Sequence, residues 1–422
     1  MKINPKSSKF YCPIPFYSIE INTNDTAKLC CVSSRRYKTD MNFLEFWNSE
    51  EMENIRNRML NDQEDSQNCG LCYLKEKNYN DSKRLDEIKY GEQQGITYTR
   101  KTNFPTHLQI KITNVCNLKC IMCSPHYSTK WNEDVDKFKH MRTKLTKTKA
   151  EVLDKSYLKK LITLFLNNKS LVPKKIELYG GEPMLAKNFW KTIENVEPLK
   201  LKNVNFLMNT NGTILTDEHL KNFIKFKKCI INLSIDGIED VFEYVRFPAK
   251  WDEVEKNIKK LYAYKRRFSN RFELGMYFTL SSFSALGLSK FIDYCNRNKY
   301  NYYINLADIE PEATETNDPK IEEMKKKYTT QELFDLGLIY TPTSVPIGFS
   351  HPSVLPENIK SKIIKDVENK LSPENLIKVK NSLSFEDKHL DKMQKKFLLY
   401  CELIKEVRGV DFKTILRNYE SQ

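Results

Sequence analysis

The sequence predicts a mixed α/β chain in three parts: a cysteine-rich N-terminal module, a central series of alternating strands and helices, and a helical C-terminal extension. Three observations predict it. Short β-rich runs alternate with amphipathic stretches between about Leu108 and Ala307, an alternation that implies a parallel sheet with crossover helices. Most of the 11 cysteines fall in short-spaced clusters, at Cys12, Cys30 and Cys31, Cys69 and Cys72, then Cys116, Cys120 and Cys123. Beyond Pro356, segments such as NIKSKIIKDVENKL and DKMQKKFLLYCELIKEV place apolar residues at helical spacing. The parts are read as residues 1–105, 106–307 and 308–422, the last opening with a Pro-rich, charge-mixed connection from Asp308 to about Pro356.

Residues 1–105 read as loop-rich, with one clear helix from Asn48 to Leu60 and little aliphatic core. A bound metal is expected to supply the missing stability. In a reducing compartment, clustered cysteines read as metal ligands rather than disulfides. Cys229, Cys295 and Cys401 sit inside apolar patterns and read as buried, inert thiols.

In the central part the expected strands are Leu108 to Thr113, Lys174 to Tyr179, Asn203 to Asn209, Cys229 to Ile235, Arg271 to Leu280 and Asn301 to Ala307. Helices are expected at Ser156 to Asn167, Thr216 to Phe226, Trp251 to Phe268 and Ser284 to Asn298. Thr216, followed by Asp217 and Glu218, has the signature of an N-cap with acidic residues in the first turn. Parallel α/β folds place their chemistry at strand ends and in the loops that follow.

The first of these strands runs into NVCNLKCIMC, which gives Cys116, Cys120 and Cys123 the spacing C-x3-C-x2-C. Three thiolates on one compact loop suit three irons of a [4Fe-4S] cube and leave the fourth iron open to a small molecule. The competing reading is a structural zinc site completed by His107 or His126. Downstream, the second strand ends in YGGEPM, the third in MNTNG and the fourth in LSIDG.

In spacing and in the order of these strand-end motifs, the chain resembles the radical SAM superfamily. The resemblance implies a partial (β/α)6, TIM-like radical SAM barrel over 106–307, with S-adenosylmethionine (SAM) as co-substrate and cleaved reductively at the cluster. It places Gly180, Gly181, Glu182 and Pro183 at the amino group of SAM, and Ser234 and Asp236 at its ribose. Met122 stands where many family members carry an aromatic residue. Upstream, FYCPIPFYSIEINTNDTAKLCC and NCGLCYLKE resemble the SPASM/twitch module, which implies an auxiliary [4Fe-4S] cluster on Cys12, Cys30, Cys69 and Cys72. Cys31 competes with Cys30 for that role, and a four-cysteine zinc ribbon is the alternative. The implied partners are a flavodoxin- or ferredoxin-like one-electron reductant and a peptide, protein or small-molecule substrate.

A formal charge of +14, from 69 basic and 55 acidic residues, is spread along the chain rather than gathered in a stripe. Such spreading weakens a nucleic-acid claim; an RNA- or tRNA-modifying enzyme is disfavoured because no RRM or KH signature is seen, and a non-enzymatic iron–sulfur or zinc protein is the remaining alternative. No apolar run reaches membrane-spanning length and the N-terminus lacks an apolar signal core, so a cytoplasmic protein is expected. Tyr277, Thr279, Tyr303 and Asn305 are candidates to face the barrel interior, and Arg246 is a candidate to pair with the carboxylate of SAM or with Glu239 on the surface, the surface pair being favoured.

Overall fold

The computed structural model describes residues 8–33, 35–39, 42–79, 82–93, 104–138, 145–167, 173–306, 350–385 and 390–421. Its centre is one nine-stranded sheet of order β3-β2-β1-β4-β5-β6-β7-β8-β9. Six parallel strands form the expected series: β4 (His107–Thr113), β5 (Lys175–Gly180), β6 (Asn205–Thr210), β7 (Lys228–Ser234), β8 (Phe272–Leu280) and β9 (Tyr302–Leu306). Helices lie between them, including Lys155–Asn167, Lys187–Glu194, Asp217–Phe223, Trp251–Arg267 and Leu288–Asn298. The sheet is open, so the fold is a partial barrel, as expected.

Burial explains why these residues form a one-sided sheet. Along β6 and β7, buried and half-buried residues alternate strictly. Phe206 and Met208, with Cys229, Ile231 and Leu233, go under the helices, while Asn209, Asn232 and Ser234 turn to the other face. A parallel sheet covered on both sides would read as an unbroken apolar run, so this second, polar face marks where a ligand has room. Thr216 caps its helix as expected, accepting from the His219 N–H at 3.2 Å while His219 Nδ1 accepts from Thr216 N at 3.2 Å.

The N-terminal residues differ from the loop-rich expectation. Three strands, β1 (Ser18–Ile21), β2 (Thr26–Lys28) and β3 (Tyr37–Lys38), extend the sheet, with β1 parallel to β4 in the register Ser18↔His107 to Ile21↔Ile110. Besides the expected helix, here Glu50–Leu60 capped by Ser49, helices run over Ser66–Tyr79 and Lys83–Gln93. Gly70 and Asn68 in a Cys-containing stretch hid the first of these, since both residues favour turns. The aliphatic core there is real: Ile19, Ile21, Met52, Ile55 and Met59 are almost fully buried.

The C-terminal helices Glu357–Val367, Pro373–Leu383, Leu390–Arg408 and Phe412–Glu420 pack against the barrel. Phe397 and Tyr400 meet Phe283 with their rings tilted, and Tyr400 meets Phe138 edge-on at 5.3 Å. Most of the Pro-rich connection lies outside the described residues. Cys229, Cys295 and Cys401 are buried, as expected.

Candidate functional site

The loop after β4 carries Cys116, Cys120 and Cys123, and nearly every turn of it is tied down. Lys119 N donates to Phe247 O at 2.8 Å, Ile121 N to Val245 O at 2.9 Å and Cys123 N to Cys120 O at 2.9 Å. From behind, Trp131 Nε1 donates to Cys120 O at 2.9 Å and Arg408 Nη1 to Lys119 O at 2.7 Å. Arg408 comes from the C-terminal extension, has a fully buried side chain, and pairs with Asp134 at 2.9 Å. Lys119 Nζ reaches the same carboxylate at 2.7 Å.

The three sulfurs share one neighbourhood. Burial raises the Cys116 thiol well above its ordinary value, and Cys120 and Cys123 add to the shift. Donors point at the sulfurs: Leu118 N at 3.4 Å and Asn211 Nδ2 at 3.8 Å from Cys116, and Arg246 Nη1 at 3.9 Å from Cys120. Burial also raises Cys120, while the Arg246 guanidinium opposes it. N–H groups directed at Cys116 and Cys120 stabilise the thiolates that a metal centre requires. The donor set therefore fits a three-cysteine iron–sulfur site. Among the described residues, no three His, Cys, Asp or Glu side chains converge tightly enough to hold a single metal ion. The two histidines considered for zinc have other partners: His107 meets Glu177 at 3.1 Å, and His126 meets Arg36 and Lys111.

Gly180 and Gly181 do permit a close approach, and what approaches is the chain itself. A Cβ on Gly180 would lie 2.2 Å from Thr113 O, and one on Gly181 would lie 2.3 Å from Val115 O. The gap is used by hydrogen bonds, Gly181 N to Thr113 O at 2.6 Å and Glu182 N to Val115 O at 2.9 Å, which zip the end of β5 to the start of the cysteine loop. Glu182 is fully buried, and its carboxylate accepts from Met184 N (2.9 Å), Thr210 Oγ1 (2.7 Å) and Asn211 N (2.8 Å). Burial raises it despite those bonds. Pro183 opens a short 3-10 turn, and its carbonyl accepts from Trp190 Nε1 at 2.9 Å.

Asp236 takes a positive φ of 53° just after β7. Its Oδ1 accepts from Thr279 N at 2.7 Å, and its Oδ2 pairs with Arg246 Nη2 at 2.5 Å. Both oxygens thus have protein partners, whereas Ser234, at the end of β7, stands half-buried on the polar face. The surface assignment of Arg246 is corrected: its side chain is only 14% exposed and bridges Asp236 to Cys120, while Glu239 faces Lys290 at 3.7 Å. A lone Arg after a helix gives no sequence signal of a partner ten residues back in a strand-end loop. Tyr277 and Tyr303 stack at 4.8 Å at the far side of the polar face.

The second cysteine set comes together from three separate segments. Cys12 precedes the short helix Ile14–Tyr17, Cys30 follows β2, and Cys69 and Cys72 sit one turn apart in the helix Ser66–Tyr79. All six pairings among Cys12, Cys30, Cys69 and Cys72 are close enough for each thiolate to disfavour another. Burial is the larger cause, and it pushes Cys12 up to about 12. Cys31 is exposed, donates its N–H to Gln109 Oε1 at 3.1 Å, and has Glu20, Lys83 and Glu177 as its charged neighbours. Of the adjacent pair, Cys30 is the one that faces the other three.

Residues 110–278 match the family model described as the Radical SAM superfamily. Curated relatives include the mitochondrial GTP 3′,8-cyclase of Arabidopsis thaliana, 29% identical over 42% of this chain and 40% of that protein. The GTP 3′,8-cyclase of Staphylococcus epidermidis is 31% identical over 33% of this chain and 36% of that protein. The chain thus spans about two fifths of the length of these relatives. Among solved structures, native anSMEcpe with bound AdoMet aligns with TM-score 0.35 and 17% identity, over 55% of this chain and 62% of that one. Streptococcus suis SuiB bound to S-adenosylmethionine aligns with TM-score 0.35 and 12% identity, over 74% and 69%. The matched residues 110–278 open on the strand leading into the three-cysteine loop.

Proposed function

We propose that this chain is a radical SAM enzyme of the SPASM/twitch type. The observation that carries the reading is the loop of Cys116, Cys120 and Cys123, pinned at the end of β4 with the Gly-Gly-Glu turn on one side and the Asp236–Arg246 pair on the other. Cys116, Cys120 and Cys123 would hold a [4Fe-4S] cluster there, which would supply the one-electron reduction needed for reductive cleavage of SAM and hydrogen abstraction from substrate.

The chain's own part is positioning. Asn211 and Leu118 direct N–H groups at Cys116, which stabilises its anionic form, and Arg246 does so for Cys120. Glu182 ties the β5 and β6 ends together, so the strand-end backbone that borders the loop is rigid. Gly180, Gly181, Glu182 and Pro183 border the space for the SAM amino group, and Ser234 is the better placed of the two ribose candidates. Cys12, Cys30, Cys69 and Cys72 would hold an auxiliary [4Fe-4S] cluster, closed by four thiolates.

The substrate class in this reading is a peptide, a protein or a small molecule, and the electron donor is a flavodoxin- or ferredoxin-like protein. No helix among the described residues is long and apolar enough to cross a membrane, and a cytoplasmic setting suits oxygen-sensitive clusters and free thiols.

The test is anaerobic reconstitution with iron and sulfide, then dithionite and SAM, with 5′-deoxyadenosine quantified for wild type and Cys120→Ser. The nucleoside is expected from wild type alone. Its absence from fully loaded wild type, with several reductants and candidate substrates present, would sink the proposal.

A further inference from the structure

At the polar face of the sheet stand two cations, Lys111 on β4 and Arg36 just before β3, that no carboxylate pairs with among the described residues. Lys111 lies on β4, five residues before Cys116, on the face it shares with Gln109 and Thr113. Its Nζ stands 3.4 Å from His126 Nε2, and Arg36 Nη2 stands 3.1 Å from the same nitrogen. Two cationic donors on one ring nitrogen assign that nitrogen as the acceptor, so the imidazole is neutral with its proton on Nδ1. The Lys111 ammonium also lies 5.0 Å from the centre of the Tyr127 ring.

Neither Arg36 nor Lys111 has a carboxylate within ion-pair distance among the described residues. Of the carboxylates nearby, Glu20 meets Lys28 at 3.5 Å through Oε1 while its buried Oε2 has no hydrogen-bond partner among the described residues, and Glu151 accepts from Thr23 Oγ1 at 2.6 Å. Burial first, then Arg36, lower Lys111 to about 8, and Arg36 acts on it more strongly than Glu151, Glu20 or Lys28 does. Burial and the same two cations lower His126 to about 3. A folded chain that keeps an amine 4% exposed beside a guanidinium, without a counter-ion, is arranged for a ligand that brings one. Among the described residues Tyr127 is 39% exposed and Arg36 and His126 are half-buried, which gives a ligand access from solvent. The group is separate from Arg246, which sits against Cys120.

We propose that Arg36, Lys111 and His126 form an oxyanion-binding site that anchors a phosphate or carboxylate group of the substrate beside the three-cysteine loop. The word substrate rests on the radical SAM reading; the anion site does not. Arg36 supplies a planar fork and Lys111 a point charge, the two complementary ways of holding an oxyanion. The arrangement also orients the bound molecule, because its charged end is fixed at the β4 side while the amides of Asn209 and Asn232 and the Tyr277–Tyr303 stack line the rest of the face.

The test titrates full-length wild type, Arg36→Gln, Lys111→Gln and the remote control Lys413→Gln by calorimetry at low ionic strength. Inorganic pyrophosphate and N-acetylglutamate are the probes, with and without reconstitution and SAM. Saturable binding of at least one probe by wild type and control is expected, weakened by about tenfold or more in both site variants. Pyrophosphate alone points to a phosphorylated small molecule, and N-acetylglutamate alone to an acidic or C-terminal group of a peptide. Arg36→Gln keeps the test decisive should Lys111→Gln fail to fold, because Arg36 is half-buried and lies outside the central strands. Wild type that binds neither probe, or variants that bind like wild type, would overturn the proposal. 5′-Deoxyadenosine is measured in the same preparations: binding without it leaves this site standing and removes the catalytic reading, and the converse removes this site alone.

Discussion

Replacing Arg408 with methionine asks whether the C-terminal extension holds the cysteine loop in place. The guanidinium donates to Asp134 Oδ2 at 2.9 Å and to Lys119 O at 2.7 Å, and lies 4.5 Å from the Trp131 ring centre, 5.5 Å from that of Phe247 and 5.6 Å from that of Phe138. Removing one partner of a buried ion pair costs about 3–5 kcal/mol, because a charge is left behind. Asp134 keeps Lys119 Nζ at 2.7 Å, so the lower end, about 3 kcal/mol, is the expectation. If that cost falls on the loop alone, the competent fraction drops and cluster affinity weakens by about two decades, at about 1.4 kcal/mol per decade. The assay is iron and sulfide per chain after reconstitution at limiting iron, with the melting temperature of the same samples. Arg408→Lys keeps the charge without the fork and should recover only part of the loss. An iron titration and a melt indistinguishable from wild type in Arg408→Met would refute the reasoning.

Three further outcomes follow from the geometry. Cys30→Ser should lower iron loading from roughly eight to roughly four per chain while Cys31→Ser leaves it unchanged; elemental analysis decides, and the reverse result would reassign the ligand. Gly181→Ala forces a Cβ to within 2.3 Å of Val115 O, so the β5 end must part from the loop; a melting temperature equal to wild type would show that the contact relaxes at no cost. In the His107–Glu177 pair, burial would raise the Glu177 carboxyl, yet the His107 hydrogen bond and Lys175 outweigh it and hold it at about 2. Burial holds His107 below 6.5. Both groups bind fewer protons folded than unfolded, so the stability they add is present at neutral pH and is lost on acidification. Glu177→Gln should flatten the melting profile between pH 4.5 and about 2, and an unchanged slope there would count against this assignment.

What the sequence revealed is what local order encodes. The six central strands appear within a residue or two of their expected ends, because short β-rich runs bounded by turn residues report strands locally, whether buried on one face as in β6 and β7 or throughout as in β4. The cysteine loop was legible because its three cysteines lie within eight residues of chain. Arg246 and Arg408 were not, since their partners lie 126 residues away in Cys120 and 289 away in Lys119, and a buried Arg looks like a surface one until its partners are in place. The glycines of YGGEPM were seen, but their reason differed: the close approach is of β5 to the loop backbone. Cys12, Cys30, Cys69 and Cys72 were legible as a set, and Cys30 separated from Cys31 only when β2 fixed which way each points.

The attachment of the N-terminal module has a consequence of its own. β1 is hydrogen-bonded to β4 across four residue pairs, and β4 is buried along its whole length. A chain cut to residues 106–422 would retain the whole superfamily match yet leave β4 as an edge strand, with unpaired N–H and C=O groups and Leu108, Ile110 and Ile112 stripped of neighbours such as Ile19 and Ile21. Open edges of that kind pair with other chains. The truncated protein should therefore aggregate, and a mixture with separately made 1–105 should not rescue it efficiently, because closing a parallel pair between two chains loses the connectivity that holds β1 near β4. Size-exclusion chromatography with far-ultraviolet circular dichroism reads the outcome. A monomeric 106–422 with native strand content would show that the superfamily region folds without β1, and that the shared sheet serves to place the second thiol set near the first rather than to complete the core.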